Sequence, residues 1–317
     1  MGVVAVDLGA TNLRVAFFRE ERLVGKTVLR TPREPERIVE TIVSVASKLA
    51  SRDDVEWVGI ASIGPLDLEK GEIVNPPNLP FTRLRLRDEV GRRLKARTVL
   101  ANDCVASVWG EYVYGKYRGT ANMGFITIST GIGGGFIVDG NLLLGSRGNA
   151  HEVGHIVVDY TSSIRCGCGG YGHWEALASG TGIPRLARLW SLKYNGEGLV
   201  KEAREGLVDA KKIFDSARGG DSFAVGIINE VGKLLAAGIA SVIASYDPEV
   251  LLLGGSVYLK NKDLLDPLIE KYLPRYLMAG LKARIDAASF GDDEGIWGAL
   301  AIAVRTPPTL KNYIYEP

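Results

Sequence analysis

Four potential metal ligands lie in one short, glycine-rich part of the sequence. The stretch 154–175, GHIVVDYTSSIRCGCGGYGHWE, contains His155, Cys166, Cys168 and His173. Thiolates and imidazoles are the usual ligands of tetrahedral zinc, and a site filled by four protein ligands is structural because no position is open for an activated water. The Cys-X-Cys spacing is tighter than in most zinc fingers. A glycine-rich loop with free thiols is therefore the alternative, since a disulfide across this spacing would be strained.

A candidate general base lies where a predicted strand meets a predicted helix. In the segment TVLANDCVASVWGEYVYG, 98–115, a short strand runs through Asn102 and Asp103 into a helix. An aspartate at this position can cap the helix. It can also take a proton from a substrate hydroxyl as a general base. The segment alone does not separate these two roles.

Two glycine turns at matching places in the chain are candidates for phosphate binding. Each follows an apolar run that predicts a strand, in GVVAVDLGATNLRVAFF near the start and in FITISTGIGGGFIVDG, 125–140. Glycine lets backbone N–H groups approach an anion without a Cβ in the way. Either turn alone would suit an ordinary hairpin, but the pair favours phosphate. The candidate residues are Gly9, Thr11, Asn12 and Arg14 in the first turn, Asp7 before it as a carboxylate that could hold Mg²⁺ through water, and Ser129, Thr130 and Gly131 in the second turn.

Two common nucleotide-binding patterns do not fit these glycines. GIGGGF places Phe136 where a dinucleotide fingerprint needs its third glycine, and GKT at 25–27 follows Glu20 where a P-loop needs its first glycine. The sequence therefore indicates neither a Rossmann dinucleotide site nor a Walker-type ATPase.

Two further polar groups are ambiguous when taken alone. The segment NPPNLP, 75–80, is a turn-rich loop that would hold the Asn78 amide in a fixed pose, but a plain linker has the same composition. In NAHEVGH, Glu152 and His155 are three residues apart, which can place both on one side of a helical turn. Histidine is also a common buried or capping residue, so this pair decides nothing by itself.

The elements around these residues alternate between strands and helices, which predicts an α/β layer architecture. Helices are predicted in PERIVETIVSVASKLASR, from Leu186 to Asp215, in GKLLAAGIASVIASYDP and in DEGIWGALAIAVR, 293–305. The pattern of strand, glycine turn and strand recurs after about half of the chain. We therefore expect two related α/β halves that face a cleft.

Charge and hydropathy patterning exclude several classes of protein. The 38 Lys and Arg residues nearly balance 37 Asp and Glu, so the chain lacks the basic footprint of a nucleic-acid binder or a polybasic membrane anchor. The longest uncharged apolar stretch, 234–246, is short for a membrane span, and Asp7 interrupts the first apolar run. We expect a cytoplasmic protein with no membrane contact, and the absence of Gln agrees with a thermophilic origin.

Eight segments together resemble one known family. DLGATNLRVAFF, GPLD, NPPNLP, NDCVASVWGE, STGIGGGFIVDG, HEVGH, CGCGGYGHWE and LLLGGSV occur in the order found in the ROK family of repressors and sugar kinases. The resemblance covers essentially the whole chain and is strongest to the ATP-dependent glucokinases and broad-specificity hexokinases of that family. It implies a duplicated, two-lobed fold of the actin, Hsp70 and hexokinase (ribonuclease H-like) type, with sugar and ATP meeting in a cleft between the lobes.

The resemblance also implies a role for each matching residue. Asp103 would be the general base that deprotonates the sugar 6-hydroxyl, and the glycine turns with Mg²⁺ would neutralise the phosphates of ATP. Gly254 and Gly255 resemble the turn beside the adenosine. Zinc would be structural and would orient His155 toward the sugar. The residues that would bind the other sugar hydroxyls are Asn78, Asn102, Glu152, His155 and Glu175.

Two residues depart from the family pattern. His151 stands where the family usually has glycine, which could reshape the sugar pocket near the 2-position. His173 stands where the family has its third cysteine, so the zinc site would be Cys₂His₂ or would bind more weakly. The first departure keeps open an N-acetylmannosamine or N-acetylglucosamine kinase.

The resemblance leaves two classes of protein as alternatives. A sugar-responsive repressor of the same family would need a helix-turn-helix ahead of the first glycine turn, and an actin-like ATPase would not need the sugar-binding set.

We expect a small N-terminal lobe of residues 1–112 and 296–317 and a larger lobe of residues 113–295. We also expect a dimer or tetramer, since the family is often oligomeric.

Overall fold

The computed structural model describes residues 1–317, apart from the side chain of Arg52. Its internal contacts divide the chain into two compact units. Unit 1 comprises Met1–Phe125, Gly135–His151 and Ala288–Pro317, and unit 2 comprises Ile126–Gly134 and Glu152–Ala287.

The described residues of the first part of unit 1 form eight strands and three α-helices. They are β1 (Gly2–Leu8), β2 (Asn12–Arg19), β3 (Arg22–Arg30), α1 (Pro35–Leu49), β4 (Trp57–Ser62), β5 (Leu66–Asp67), β6 (Glu72–Val74), β7 (Arg83–Arg85), α2 (Leu86–Leu94), β8 (Arg97–Asn102) and α3 (Asp103–Tyr114). Five strands form a sheet in the order β3-β2-β1-β4-β8, and β5, β6 and β7 form a small antiparallel sheet.

The strand β1 is the centre of the first sheet. All seven of its residues are buried: β2 pairs with it antiparallel on one edge, β4 pairs with it parallel on the other, and α11 packs on it. The register places Asp7 opposite Arg14.

The helix predicted from residue 35 onward is α1, and its apolar residues at helical spacing, including Ile38 and Ile42, are buried as that spacing requires.

The chain passes between the units within β9 (Met123–Ile128) and again within β10 (Ile132–Val138), and β11 (Asn141–Leu142) follows in unit 1. The elements of unit 2 are α4 (Trp174–Ala178), α5 (Gly182–Ser191), α6 (Leu199–Glu205), α7 (Ala210–Arg218), α8 (Ser222–Tyr246), β12 (Val250–Gly254), α9 (Ser256–Lys260), α10 (Lys262–Tyr276) and β13 (Arg284–Ala287). The chain then returns to unit 1 as α11 (Glu294–Val304).

The second sheet repeats the first. Its strand order, β11-β10-β9-β12-β13, matches β3-β2-β1-β4-β8 position by position along the chain. In each sheet the last two strands in the order, β4 with β8 and β12 with β13, run parallel. This agreement confirms the duplicated α/β fold expected from the recurring strand and glycine pattern.

One predicted helix is wrong as a continuous element. The segment from Leu186 to Asp215 contains parts of three helices, α5, α6 and α7. Gly198 and Gly206 separate them with φ angles of +62° and +76°. These left-handed conformations suit glycine and cannot continue an α-helix.

The helix α8 begins earlier than the sequence predicted, at Ser222, and is the core helix of unit 2. It is long and apolar enough to span a membrane by length and composition alone, but 67% of its most apolar window is buried inside the protein. Its packing against α10, α7 and α4 explains that apolar composition.

The returning helix α11 packs on β1, β4 and α3. Its crossing with α3 is close: an added Cβ at Gly298 would come within 2.5 Å of the carbonyl carbon of Ala106, and one at Gly110 within 2.8 Å of the Gly298 nitrogen. The two glycines therefore allow the helix that begins at Asp103 to lie directly against α11.

Candidate functional site

The junction of β8 and α3 holds Asn102 and Asp103. Asn102 is the N-cap of α3, and its Oδ1 accepts hydrogen bonds from the N–H groups of Cys104 at 2.9 Å and Val105 at 3.4 Å. Asp103 is the first residue of the helix, is half-buried, and its Oδ1 also accepts from the Cys104 N–H at 2.9 Å. Asn102 therefore provides most of the capping, and the Asp103 carboxylate lies at the N-terminal, positive end of the α3 dipole.

The loop of Asn78 is fixed on both sides of that residue. It connects β6 to β7, the Asn75 N–H donates to the Thr82 carbonyl at 2.7 Å, and the Leu79 N–H donates to the Pro76 carbonyl at 3.3 Å. Leu79 is buried, whereas Asn78 is exposed. The loop thus presents the Asn78 amide to solvent from an anchored backbone.

The first glycine turn connects β1 to β2 as predicted. The Gly9 N–H donates to the Asn12 carbonyl at 2.9 Å, and Thr31 supports the turn through its Oγ1, which donates to the Gly9 carbonyl at 2.7 Å. Thr11 is exposed at the tip of the turn. Gly9 and Thr11 therefore lie on a braced turn that is accessible from solvent at Thr11.

Asp7 is buried just before this turn and pairs with Arg14. Arg14 Nη1 donates to Asp7 Oδ2 at 2.8 Å. Burial raises the pKa of Asp7, Arg14 opposes that effect, and Asp293 adds to it. A single carboxylate of this kind suits Mg²⁺, which usually keeps several of its waters and takes one or two protein carboxylates. Arg14, predicted as a phosphate donor, is thus also the counter-ion of Asp7.

The second glycine turn, Ser129 to Gly131, lies in unit 2. It is closed by a 2.9 Å hydrogen bond from the Ser129 N–H to the Gly131 carbonyl. The Thr130 carbonyl accepts from both the N–H and the Oγ1 of Thr181, at 3.2 Å and 3.0 Å. The turn is therefore braced from the segment before α5.

The turn between β12 and α9 lies against the second glycine turn. Gly255 has a φ of +87°, and an added Cβ there would come within 2.5 Å of the Ile128 carbonyl oxygen. Ser256 Oγ and Ser129 Oγ are 3.0 Å apart. The structure thus places Gly255 and Ser256 against the end of β9 and the start of the second glycine turn.

The four predicted zinc ligands converge on one point of unit 2. One donor atom from each of them lies within 4.8 Å of the others. The Nδ1 atoms of His155 and His173 are 3.3 Å apart, Cys166 Sγ is 3.8 Å from His155 Nδ1, and Cys168 Sγ is 3.2 Å from His173 Nδ1. Ligand atoms around tetrahedral zinc lie about 3.3–3.8 Å from each other, so this donor set fits zinc.

Two carboxylates flank this His/Cys cluster. Glu152 Oε2 is 3.5 Å from His155 Nε2, the ring nitrogen on the side away from the cluster. Glu175, in the first turn of α4, accepts a hydrogen bond from the Ile132 N–H at 3.1 Å through Oε2, while its Oε1 is 3.8 Å from Cys166 Sγ. The cluster therefore positions His155, Glu152 and Glu175 relative to each other.

Burial affects the pKa of two residues of the cluster, Cys166 and His173. It raises the pKa of Cys166 to about 11 and, with a smaller effect from His155, lowers the pKa of His173. Because zinc binds the thiolate, metal binding must release the Cys166 proton. Zinc affinity is therefore expected to fall as the solution becomes more acidic.

Sequence reasoning missed two residues that support the second turn, Thr181 and Ser256. Both lie beside glycines, in SGTG and GGSV, so the signal was a small polar residue next to a glycine turn. Their contacts are long-range in sequence, and no local pattern identifies the partner.

The chain matches known proteins along almost its whole length. The profile described as ROK family matches residues 3–306. A protein named glucokinase from Aeropyrum pernix is 48% identical over 98% of this chain and 99% of that protein. A ROK hexokinase structure from Thermus thermophilus matches with a TM-score of 0.81 at 30% identity, over 96% of this chain and 98% of that one. A ROK family glucokinase from Streptomyces griseus, solved with glucose and AMPPNP, matches with a TM-score of 0.79 at 32% identity, over 96% of this chain and all of that one.

Proposed function

This chain belongs to the ROK family, and we propose that it is a glucokinase that uses ATP to phosphorylate glucose and related hexoses at the 6-hydroxyl. The match to a glucokinase along its full length, and the fold shared with a ROK glucokinase that holds glucose and an ATP analogue, support this activity. The single observation that carries the chemistry is the Asp103 carboxylate, held at the start of α3 beside Asn102.

We assign Asp103 as the general base. The carboxylate accepts the proton of the sugar 6-hydroxyl as that oxygen attacks the γ-phosphorus of ATP. Its hydrogen bond to the Cys104 N–H fixes one oxygen and the orientation of the group. A positioned base of this type contributes about 10² to 10⁴ in rate.

We assign the remaining sugar hydroxyls to five residues that accept or donate hydrogen bonds in fixed positions. Asn102 is oriented by its capping role, and His155 presents Nε2 while Nδ1 faces the metal ligands. Fixing the other ring nitrogen in this way determines the tautomer of a histidine. The five are Asn78, Asn102, Glu152, His155 and Glu175.

We assign the phosphates and nucleoside of ATP to the glycine turns. Phosphoryl transfer depends on positioning and charge neutralisation, for which backbone N–H groups in tight turns are suited. Mg²⁺ bound near Asp7 through water would supply further positive charge to the phosphates. The assigned residues are Gly9, Thr11, Asn12, Arg14, Thr130, Gly131, Gly254 and Gly255.

We propose a structural role for zinc held by His155, Cys166, Cys168 and His173. All four tetrahedral positions are filled by protein atoms, so the metal would fix the loop and activate no water. Replacement of the family's third cysteine by His173 is compatible with this donor set.

An N-acetylmannosamine or N-acetylglucosamine kinase is the second candidate, because of His151. Its side chain is only 4% exposed and lies directly before Glu152. A buried imidazole at this position changes the volume beside a residue assigned to the sugar.

We propose further that one lobe comprises residues 1–112 and 296–317 and the other comprises residues 113–295. We also propose a homo-oligomeric state, a cytoplasmic location, a place in glycolysis and a thermophilic source.

A sugar panel tests the proposed activity. ADP formation from MgATP is measured with glucose, mannose, fructose, glucosamine, N-acetylglucosamine, N-acetylmannosamine or no sugar. Turnover on several plain hexoses is the expected result. Turnover restricted to the N-acetyl sugars would transfer the assignment to the second candidate, and turnover independent of sugar would contradict both.

A further inference from the structure

Two buried glutamates face each other where α3 meets α11 in unit 1. Glu111, in the last turn of α3, is fully buried, and Glu294, the first residue of α11, is 6% exposed. Two ionised carboxylates at such a place would lose hydration and repel each other. A hydrogen bond between the two carboxyl groups, with one of them protonated, removes that conflict, and their side chains are positioned to form it.

The hydrogen-bond partners indicate which glutamate carries the proton. Burial raises the pKa of Glu111, but this carboxyl accepts from the backbone N–H of Ser289 and, at 2.6 Å, from the Ser289 hydroxyl, and both donors oppose that rise. Glu294 Oε1 accepts from the Phe290 N–H at 2.7 Å. Its Oε2 is buried without a hydrogen-bond donor among the described groups. Glu294 is therefore the protonated acid, and Oε2 is the atom that donates to Glu111.

Few other charges act on this pair. Lys116 is the cation that faces Glu111, burial keeps Tyr114 neutral by raising its pKa, and β4 carries no charged side chain. The other charged groups on elements around α11 are four ion pairs, Asp7 with Arg14, Arg19 with Asp54, Lys26 with Asp293 and Arg97 with Glu316, together with Asp103, Asp292 and Arg305.

The residue after Glu294 lies against the Asp7 carboxylate. An added Cβ at Gly295 would come within 2.5 Å of Asp7 Cγ. The start of α11 therefore forms the wall behind Asp7, and any displacement of Glu294 moves that wall. Asp7 in turn precedes the first glycine turn.

We propose that the proton shared by Glu294 and Glu111 is a latch that holds the start of α11 against Asp7, which makes Glu294 a positioning residue for MgATP. This role rests on the proposed kinase function, whereas the latch itself does not. No step of the reaction passes through either glutamate.

The latch opens as the solution becomes alkaline. Burial and the neighbouring Glu111 raise the pKa of Glu294 from 4.5 to about 8. A carboxyl whose pKa is raised by folding stabilises the fold fully below its unfolded value, and that contribution is lost as the pH rises through the folded value. The contribution of the pair to stability should therefore fall as the pH rises from about 4.5 to about 8, and MgATP binding should weaken as the pH passes through about 8.

Glu294→Gln tests the latch, because its amide keeps a hydrogen-bond donor to Glu111 that cannot ionise. For the unmodified protein we expect the unfolding temperature to fall by at least about 3 °C from about pH 6 to pH 9, and for Glu294→Gln by less than about 1 °C. The ratio of the KM for MgATP in the unmodified protein to that in the variant should rise about threefold or more over the same range. Glu205→Gln, on the short helix α6, is the control and should follow the unmodified protein.

Two outcomes would overturn the proposal. If the unfolding temperatures of Glu294→Gln and the unmodified protein depended equally on pH, this result would contradict the latch, whether or not the protein is a kinase. If the unfolding temperature of Glu294→Gln became independent of pH while the ratio of the KM values for MgATP stayed unchanged, the positioning role would be contradicted. Glu294→Leu, which has no donor, should raise the KM for MgATP at every pH.

Discussion

The backbone N–H of Ile132 donates a 3.1 Å hydrogen bond to Oε2 of Glu175. Ile132 follows the second glycine turn, and Glu175 follows His173 of the His/Cys cluster by two residues. Because the other oxygen of Glu175 faces Cys166, one carboxylate connects the turn assigned to ATP with the cluster assigned to zinc. Changes on either side should therefore affect the other.

Gly131→Ala should disrupt this connection from the side of the turn. The new Cβ would lie 2.3 Å from Glu175 Oε2, so the carboxylate must move and the hydrogen bond to Ile132 is lost. We expect the KM for glucose to rise about tenfold and kcat to fall, measured by steady-state kinetics. Gly226→Ala is the matched control, because its Cβ meets only an ordinary contact with Trp190 at 3.6 Å. Equal steady-state kinetics for the two variants would contradict the proposed role of Glu175.

Cys168→Ser should disrupt the connection from the side of the cluster. We expect loss of one bound zinc per chain, a lower unfolding temperature and a KM for glucose raised about fivefold or more, since His155 and Glu175 lose their fixed positions. Metal analysis, calorimetry and kinetics measure these three effects. Ser163→Ala, an exposed residue of the same loop, is the control. Loss of metal with unchanged stability and KM would contradict a scaffolding role for zinc.

Arg14→Ala should shift the acid limit of activity upward. Burial raises the pKa of Asp7, and Arg14 is the group that opposes this, so its removal lets the pKa rise further. Activity that needs an ionised Asp7 is then lost at a higher pH as the solution is acidified. The pH profile of kcat/KM for MgATP measures the shift. Arg19→Ala, at the other end of β2, pairs with Asp54 and should leave the acid limit in place.

His151→Gly should change the choice of sugar. His151 is buried and directly precedes Glu152, and we propose that its imidazole limits the sugar pocket near the 2-position, so that its removal enlarges that pocket. We expect the ratio of kcat/KM for N-acetylmannosamine to that for glucose to rise about tenfold. Unchanged selectivity would show that His151 does not limit the 2-position.

Local patterns predicted much of the fold and of the candidate site. The apolar run that ends at Asp7, followed by glycine, predicted the hairpin of β1 and β2, and its recurrence at 125–140 predicted the second sheet. The convergence of His155, Cys166, Cys168 and His173 was predictable because three of these residues lie within eight residues of each other, from Cys166 to His173. In each case the information is carried by neighbouring residues.

Long-range contacts were not predictable in the same way. The composition between Leu186 and Asp215 favours helix, but Gly198 and Gly206 break it through backbone conformations that the surrounding pattern does not reveal. The pair of Glu111 and Glu294 is separated by more than half of the chain and depends on the close crossing of two helices. Only the structure shows that these carboxyl groups meet.

Asp103→Asn tests the central claim most directly. The amide keeps the shape of the side chain and an oxygen that can accept from the Cys104 N–H, but it cannot take a proton. We predict that kcat for glucose falls by about 10² to 10⁴ while the dissociation constant for glucose, measured by calorimetry, changes by less than about threefold. A kcat within about threefold of the unmodified protein would contradict Asp103 as the general base.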